Sequence, residues 1–386
     1  MMIYLDNSAT TKCSPAAIEA MKKTLETDFG NPSSLHGMGV SAEQYLRDTR
    51  AAIAKSLHVK DKEIIFTSGG TEANNLGLTG TALAYRRSGM HIITTPIEHP
   101  SVKNTLNFLK EAHGYEIEVL PVDRYGIIDL RSLSAAIRED TILVTIMHVN
   151  NEIGTIEPIA EAGSIIKQKN PGTQFFVDAV QSYGKLPINP GKMNIDLLSA
   201  SGHKIHGPKG SGFLYKGEKV KYLPLIYGGG QEWGLRSGTE NVPAIAGLGA
   251  AVEETAGHIC HPERSEGSLR QSFINKISKI EGVTVNGPTD PQNAAPHIIS
   301  VSVEDVRSEV LLHALEDEGI YVSAGSACSS HKRAPSDTLS AIGLSKSLLE
   351  CTIRLSMSVN TTEEEMDEAA EKMEKLIPRL RRYTRK

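Results

Sequence analysis

Two short segments, each following an apolar run, carry groups that could hold an anion and a ring nitrogen. In residues 67–75, two glycines precede Thr71, so the backbone can turn tightly and offer the N–H groups of a helix start to an anion. The segment matches neither the Walker nor the dinucleotide-binding pattern, and a plain glycine-rich connection explains it equally well. Asp178 ends the second run, where a carboxylate would pair with a cation or accept a ring N–H. Capping of the next helix is an equal alternative.

A lysine stands in a third segment, residues 199–210, among small residues and glycines. A solvated surface charge explains this setting poorly. A lysine in a crevice loses its charge readily, as a lysine that forms a Schiff base must. The lysine is Lys204, and the neighbouring Ser201 and His203 would supply further donors to an anion. The segment therefore indicates covalent chemistry at an amine.

A fourth segment, residues 323–330, places Cys328 in a run of serine, glycine and alanine. With no apolar neighbours to pack against, this cysteine is expected to be exposed and mobile. At a reference pKa of ~8.5, about a tenth of such a thiol is thiolate near pH ~7.5, which is enough for a nucleophile. Cys13, Cys260 and Cys351 lack this context.

Two further features point to a ligand, and one does not. Ordering the glycine-rich loop 228–239 costs much conformational entropy, so a loop of this length and composition is expected to have a role. Arg354 lies in an apolar strand, so its guanidinium is expected to be semi-buried and to seek a carboxylate. The His258, Cys260 and His261 cluster has a spacing that suits no common zinc arrangement, so no metal site is predicted.

The elements that would position these residues alternate between short apolar runs and amphipathic stretches. Helices are predicted over 71–87 and 100–112. Apolar runs of this kind are typical of strands buried on both faces, so we predict an α/β fold with a mostly parallel sheet flanked by helices. Ligands bind such sheets at the carboxyl ends of the strands. The predicted strands are 63–67, 91–95, 116–120, 142–149, 174–178, 196–200 and 212–215.

The pattern changes after about residue 255. The polar stretch 258–267 contains a proline and predicts a surface loop or frayed linker. A final helix is expected to open with a capping box formed by Thr362 and Glu365. We therefore predict a large α/β domain over 15–255 and a smaller α+β domain, formed by 1–14 and 256–386, that carries the Cys328 loop. Its predicted elements are a strand at 297–303, a helix at 308–318 and a strand at 352–356.

Composition excludes several classes of protein. The chain has 386 residues, 39% of them apolar, and a net charge of −5, which leaves no electrostatic footprint for direct nucleic-acid binding. No apolar run approaches the ~18 residues of a membrane helix, and the N-terminus has no basic region typical of a signal peptide. Four scattered cysteines favour a reducing compartment, so a cytoplasmic protein is expected.

An anion loop, a strand-end aspartate, a lysine and a distant arginine together fit pyridoxal phosphate. With these residues in place, the sequence closely resembles the cysteine desulfurases of the NifS/IscS type. These belong to the class V aminotransferase superfamily and have the fold-type I, aspartate aminotransferase-like architecture with a smaller C-terminal domain. The likeness covers nearly the whole chain. It is carried, in order, by residues 4–11, 30–36, 97–99, 148–154, 201–204, 236–239 and 325–328.

The resemblance implies specific roles around pyridoxal phosphate. Lys204 bonds to the aldehyde and then shuttles a proton, and Asp178 keeps the pyridine nitrogen protonated. His99 stacks on the ring and acts as an acid–base, and Gln181 hydrogen-bonds the ring hydroxyl. Gly70, Thr71, Ser201 and His203 hold the phosphate. The full set of implied cofactor-binding residues is Gly70, Thr71, His99, Asn151, Asp178, Gln181, Ser201, Gly202, His203, Lys204 and Thr239.

The resemblance also implies a substrate, a nucleophile and partners. Asn151 and Arg354 would bind the carboxylate of L-cysteine, and Cys328 would attack its sulfur, leaving alanine and a persulfide. Thr239 would reach the phosphate of a neighbouring subunit, which implies a homodimer with shared sites. The sulfur would pass to an iron–sulfur scaffold protein or another acceptor. No resident metal is implied, although Cys328 could ligate an iron–sulfur cluster transiently with a scaffold.

Two alternatives stay open at this point. The first is a selenocysteine lyase or cysteine sulfinate desulfinase of the same fold, which the serine-rich run around Cys328 disfavours. The second is a non-catalytic protein that relays sulfur or binds a scaffold, which intact Lys204, Asp178 and His99 argue against.

Overall fold

The computed structural model describes residues 2–259, 266–324 and 336–384, and Cys328 and Cys260 lie outside these ranges. None of the helices in the described ranges is long and apolar enough to cross a membrane. The strands are β1 Ile3–Tyr4, β2 Ile64–Thr67, β3 His91–Thr94, β4 Glu116–Val119, β5 Thr141–Met147, β6 Gln174–Asp178, β7 Leu197–Ser201, β8 Gly212–Lys216, β9 Val283–Asn286, β10 Ile298–Val303, β11 Ile320–Tyr321, β12 Ser323–Ala324 and β13 Thr352–Ser356. The helices are α1 Pro15–Glu26, α2 Gly37–Leu57, α3 Gly70–Tyr85, α4 Pro100–His113, α5 Leu130–Ala136, α6 Ile159–Lys169, α7 Pro190–Met193, α8 Val242–Ile259, α9 Glu266–Ile277, α10 Ser308–Asp317, α11 Asp337–Ala341, α12 Lys346–Leu349 and α13 Glu363–Thr384.

A seven-stranded sheet with the order β2-β8-β7-β6-β5-β3-β4 forms the centre of the fold. The pairs from β4 to β7 are parallel, whereas β8 runs antiparallel to both β7 and β2. Every residue of β2, β3, β5, β6 and β7 is buried, because helices cover both faces of the sheet. The predicted α/β fold with a mostly parallel sheet is confirmed, and all seven predicted strands are present.

Two apolar layers join the sheet to its helices. One lies under α2, α6 and α8, and the other lies under α3 and α4. Helix α3 approaches the sheet closely because Gly77 faces Phe176: a Cβ at Gly77 would come within 2.4 Å of the Phe176 ring. This close packing fixes the position of the α3 N-terminus relative to β6.

A second, four-stranded antiparallel sheet has the order β12-β13-β10-β9. Its core includes residues of α9, α10 and α13, and also Ile3 and Leu5 from the N-terminus. Strand β1 pairs in parallel with β11. The capping box of α13 is present, since Thr362 and Glu365 exchange hydrogen bonds of 3.0 and 3.2 Å. The domain boundaries at 15 and 255 stay a prediction.

The predicted loop over 258–267 is partly wrong. Helix α8 continues to Ile259 and α9 begins at Glu266. Helix α9 forms because its later turns bury Phe273, Ile274 and Ile277 against the second core, an apolar spacing that lies beyond the polar stretch.

A buried ion pair ties the glycine-rich loop to the large sheet. The Arg50 guanidinium forms two hydrogen bonds, of 2.7 and 2.9 Å, with the Glu232 carboxylate, which also accepts the Phe66 N–H at 2.9 Å. The guanidinium lies 4.5 Å from the Phe66 ring centre and 4.4 Å from that of Trp233. Glu232 and Trp233 both have positive φ, so these contacts hold a strained turn.

We predict that Arg50→Ala lowers the free energy of unfolding by about 3–5 kcal/mol, because it leaves the buried Glu232 charge uncompensated. The matched control is Arg47→Ala, one turn earlier in α2, whose partner Glu43 is exposed. That variant should cost less than about 1 kcal/mol. Urea unfolding of both variants checks this, and equal costs would contradict the assignment.

Candidate active site

The predicted site residues gather where β6 and β7 end and α3 begins. Asp178 is the last residue of β6 and is 4% exposed. One of its carboxylate oxygens accepts the Asn74 amide at 2.8 Å, and the other accepts the Val180 N–H at 3.0 Å. A carboxylate has about four lone-pair positions, so it can accept a further N–H from a ligand.

Lys204 ends the short 3-10 helix Gly202–Lys204 that follows β7. Its ammonium group donates to the carbonyl oxygens of Ser8 and Ala9, the latter at 2.8 Å. Gln181 donates to the same Ser8 carbonyl at 3.0 Å. The N-terminal segment therefore brings Lys204 and Gln181 together, although about 20 residues separate them in the chain and about 170 separate Gln181 from Ser8.

The start of α3 faces the end of β7. A Cβ at Gly70 would lie 2.5 Å from a Val180 methyl carbon and 3.7 Å from the Cβ of Ser201, so only glycine fits here. Thr71 is exposed in the first turn, whose N–H groups have no partner within the helix. This arrangement forms a glycine-lined cradle for an anion.

His203 lies two residues after Ser201, in the short 3-10 helix that follows β7. Its Nδ1 lies 3.2 Å from the Thr10 hydroxyl. Burial, followed by the charges of Lys204 and Lys209, lowers the pKa of His203 to about 4. His203 is therefore neutral near pH ~7 and can offer an anion a hydrogen bond but no charge.

His99 precedes α4 and belongs to a chain of hydrogen bonds that starts at Asp178. The Asn74 amide donates to Asp178 and also to the Ser101 hydroxyl, each at 2.8 Å. The Ser101 hydroxyl in turn lies 2.7 Å from His99 Nδ1. Burial, opposed by the Asp178 charge and assisted by Lys204 and Lys103, lowers the pKa of His99.

Arg354 lies in β13 and is 6% exposed. It donates to the Asn151 carbonyl at 2.7 Å and forms an ion pair with Asp6 at 3.0 Å. Strand β12, which precedes the Cys328 segment in the chain, places Ser323 opposite Arg354. The structure thus joins Arg354 to the backbone of Asn151, while the contact with Asp6 was not expected from the sequence.

Thr239 is exposed and is joined to none of these groups by a contact in the described ranges. Sequence analysis also assigned no role to Asn74, Ser101 or Asp6. Asn74 follows Gly70 by four residues in α3, so helical periodicity places both on one face, and this signal could have found it. The contact of Asp6 with Arg354 and that of Ser101 with Asn74 join distant segments and leave no local signal.

The donor set fits pyridoxal phosphate on four observations. Gly70 lets the start of α3 pack closely against Val180 and Ser201, so the N–H groups of its first turn, which have no partner within the helix, lie beside the end of β7. Asp178 can accept one more N–H. The Gln181 amide oxygen is buried without a hydrogen-bond partner among the described residues, so it is available to a ring hydroxyl. A lysine amine, Lys204, lies within the same group of contacts.

Comparison with known proteins agrees with this geometry. Residues 3–368 match the family described as Aminotransferase class-V. The chain belongs to this family. It is 44% identical to the cysteine desulfurase IscS of Dictyoglomus turgidum, over 98% of this chain and 95% of that protein. The class V aminotransferases are pyridoxal phosphate enzymes, so the predicted cofactor and enzyme class are confirmed.

Solved structures of similar proteins agree in fold. A NifS-like protein superposes with a TM-score of 0.92 at 38% identity, covering 98% of this chain and all of that one. SspA in complex with cysteine superposes with a TM-score of 0.80 at 37% identity, covering 93% of this chain and all of that one. The resemblance to NifS/IscS-type cysteine desulfurases and the aspartate aminotransferase-like fold are therefore confirmed.

Glu98, beside His99, gives a prediction about pH. Burial raises its pKa to about 8, despite hydrogen bonds of 2.8 Å from the Thr95 hydroxyl and the Met147 N–H, both to one carboxyl oxygen. The folded protein therefore holds a proton on Glu98 that the unfolded chain loses above its ordinary pKa of 4.5. Stability should fall as the pH rises through this window.

We predict that Glu98→Gln, which keeps an acceptor for both donors, removes this part of the pH dependence. The variant should match the wild type near pH ~5 and be more stable near pH ~8. Urea unfolding midpoints across this range check it. A variant that is less stable than the wild type at pH ~8 would show that the carboxylate is needed in its ionised form.

Proposed function

We propose that this protein is a cysteine desulfurase that uses pyridoxal phosphate to convert L-cysteine into L-alanine and a persulfide on Cys328. The observation that carries the proposal is the convergence of Lys204, Asp178 and the Gly70 cradle at the ends of β6 and β7. Membership of the class V aminotransferases supports the cofactor, and the cysteine bound by the similar SspA supports the substrate.

The chain offers a distinct group for each part of the cofactor. Gly70, Thr71, Ser201, Gly202 and His203 would hold the phosphate, and Asp178 would accept the ring N–H. Gln181 would meet the ring hydroxyl through its unpartnered oxygen. Once bound, the cofactor supplies an aldehyde for an amine and a ring that withdraws electrons from the substrate Cα.

Lys204 and His99 then act on the substrate side. Lys204 Nζ is the base that takes the proton from Cα and returns it later. The Ser8 and Ala9 carbonyls orient this nitrogen and hold its proton when it is charged. His99 lies at the N-terminus of α4, where it is linked to Asp178 through Ser101 and Asn74. We propose that the imidazole ring of His99 stacks on the pyridine ring of the cofactor.

Arg354 and Asn151 would bind the substrate carboxylate. The Arg354 Nε is buried without a hydrogen-bond partner among the described residues, so part of the guanidinium fork is available. Asp6 and the Asn151 carbonyl fix the rest of that fork. A guanidinium held in this way loses little conformational freedom when it binds a carboxylate.

Cys328 would supply the nucleophile. Its thiolate forms a bond to the sulfur of L-cysteine as the bond between that sulfur and Cβ breaks. Cβ gains a proton, the carbon skeleton leaves as alanine, and Cys328 keeps the sulfur as a persulfide. The persulfide would then pass its sulfur to an iron–sulfur scaffold protein or another acceptor.

We also propose a homodimer with shared sites, in a cytoplasmic setting. Phe29, Leu35 and Tyr227 are more than half exposed, as is Trp233. Pro32 and Ser33 line the same surface cleft as Trp233, beside charged residues such as Glu43 and Arg47, so segment 29–35 adjoins the glycine-rich loop. Several exposed large apolar side chains on adjoining segments are typical of an interaction surface. The exposed Thr239 follows in the same loop, where it could reach the phosphate site of a second copy.

The function is tested by following alanine and persulfide during incubation of the holoenzyme with L-cysteine. Cys328→Ser should lose alanine release but keep the visible absorbance of bound cofactor. Lys204→Ala should lose both the turnover and the lysine-bound absorbance. The matched control is Cys351→Ser, because Cys351 is a free, half-buried cysteine with no proposed role in the reaction. It should retain turnover.

Full alanine release by Cys328→Ser would contradict the role of Cys328 and favour a lyase that acts on selenocysteine or cysteine sulfinate. Assays with those two substrates separate these cases. A wild-type protein that binds pyridoxal phosphate but converts none of the three substrates would favour a non-catalytic sulfur-relay protein.

We predict that Arg354→Ala raises KM for L-cysteine about 30- to 160-fold, which corresponds to the roughly 2–3 kcal/mol of a charge-assisted bidentate pair. Steady-state alanine production measures this change. Arg307→Ala is the control, since Arg307 pairs with Glu350 and both are exposed. An unchanged KM in Arg354→Ala, or an equal rise in Arg307→Ala, would refute the assignment.

A further inference from the structure

His99 is the N-cap residue of α4, and its side chain caps the helix. Its Nδ1 accepts the backbone N–H of Ser101 at 3.1 Å. A backbone N–H can only donate, so Nδ1 must carry a lone pair in this arrangement. The single proton of the neutral imidazole is then on Nε2.

The hydrogen-bond chain from Asp178 leads to the same tautomer independently. The Asp178 carboxylate only accepts, so Asn74 must turn its NH2 group toward it. The second proton of that NH2 group goes to the Ser101 hydroxyl oxygen at 2.8 Å. The hydroxyl proton of Ser101 is left for His99 Nδ1 at 2.7 Å. Each direction in the chain follows from the one before it.

The surroundings also oppose a proton on Nδ1. Asn74, Ser101 and Asp178 are all buried, so water cannot easily replace a lost partner. The N-terminal end of α4 carries the positive end of the helix dipole, which disfavours an imidazolium there. Of the charged groups that face the ring, Lys204 and Lys103 also disfavour it, and Asp178 alone favours it.

We infer that Asn74 and Ser101 are positioning residues that hold His99 as a neutral imidazole protonated on Nε2, so that His99 serves the reaction as a hydrogen-bond donor and not as a base. The part of this inference that concerns the reaction rests on the proposed function. The tautomer itself is a property of this chain. The acid–base role expected for His99 is thereby narrowed to donation from Nε2, and the removal of the Cα proton stays with Lys204.

Nitrogen NMR of the full-length holoenzyme, labelled with 15N-histidine, tests the inference directly. The 15N shifts report which ring nitrogen carries the proton. In the wild type, His99 should show an unprotonated Nδ1 and a protonated Nε2. A protonated Nδ1 in the wild-type enzyme near pH ~7 would overturn the inference without any variant.

Ser101→Ala removes the hydroxyl of the chain but keeps the backbone N–H. The protonated fraction of His99 at a given acidic pH should rise by up to about tenfold, since one hydrogen bond to the neutral form is lost. The acid limb of the kcat/KM profile should move to higher pH by up to about one pH unit, which is the same tenfold change. Ser101→Thr, which keeps the hydroxyl, should restore both properties.

Thr105→Val is the matched control. The Thr105 hydroxyl is buried in the same helix and donates to the Ser101 carbonyl at 2.7 Å, outside the chain that reaches His99. It should leave the tautomer and the pH profile unchanged. Equal effects of Ser101→Ala and Thr105→Val, or no effect of Ser101→Ala, would refute the positioning role.

The two proposals fail in different ways. A wild-type enzyme that desulfurates cysteine with His99 protonated on Nδ1 contradicts only the inference about the tautomer. An enzyme with the expected tautomer and no activity on cysteine contradicts only the proposed function.

Discussion

A carboxylate almost sealed from water at the end of a central strand is the constraint on which the site depends. Burying the charge of Asp178 is costly unless hydrogen bonds or an opposite charge offset it. Asn74 and the Val180 N–H supply part of this compensation, and a protonated ring nitrogen would supply the rest. The need to satisfy Asp178 fixes the Asn74 amide, and the amide orients Ser101 and through it His99. Through three successive hydrogen bonds, the buried charge of Asp178 thus orients the hydroxyl that faces His99 Nδ1.

The N-terminal segment connects this large-sheet site to the smaller sheet. Its carbonyls at Ser8 and Ala9 hold Lys204, and its Asp6 pairs with Arg354 in β13. The same segment continues from β1, which pairs with β11 near the second core. The amine that would carry the cofactor and the arginine that would bind the substrate are therefore oriented by one stretch of backbone.

Much of the frame could be read from the sequence, because strands buried on both faces must be apolar; the prediction of β6 matches the structure at both ends. The helix start at Gly70 and the position of Asp178 followed from local patterns. The antiparallel direction of β8 could not be predicted in this way, because the residues of a five-residue strand do not determine whether it pairs in parallel or antiparallel. The contact of Asp6 with Arg354 and the contacts of Asn74 with Ser101 and Asp178 join segments that are far apart in the chain, and such contacts become visible only once the fold is known.

The central claim is that Lys204 is the residue that carries pyridoxal phosphate. Borohydride reduction of the holoenzyme would make this attachment permanent, and mass spectrometry of the digested protein would locate it. We expect a pyridoxyl group on the peptide that contains Lys204, in an amount close to one per chain. A label on a different lysine, or a cofactor that washes away after reduction, would contradict it.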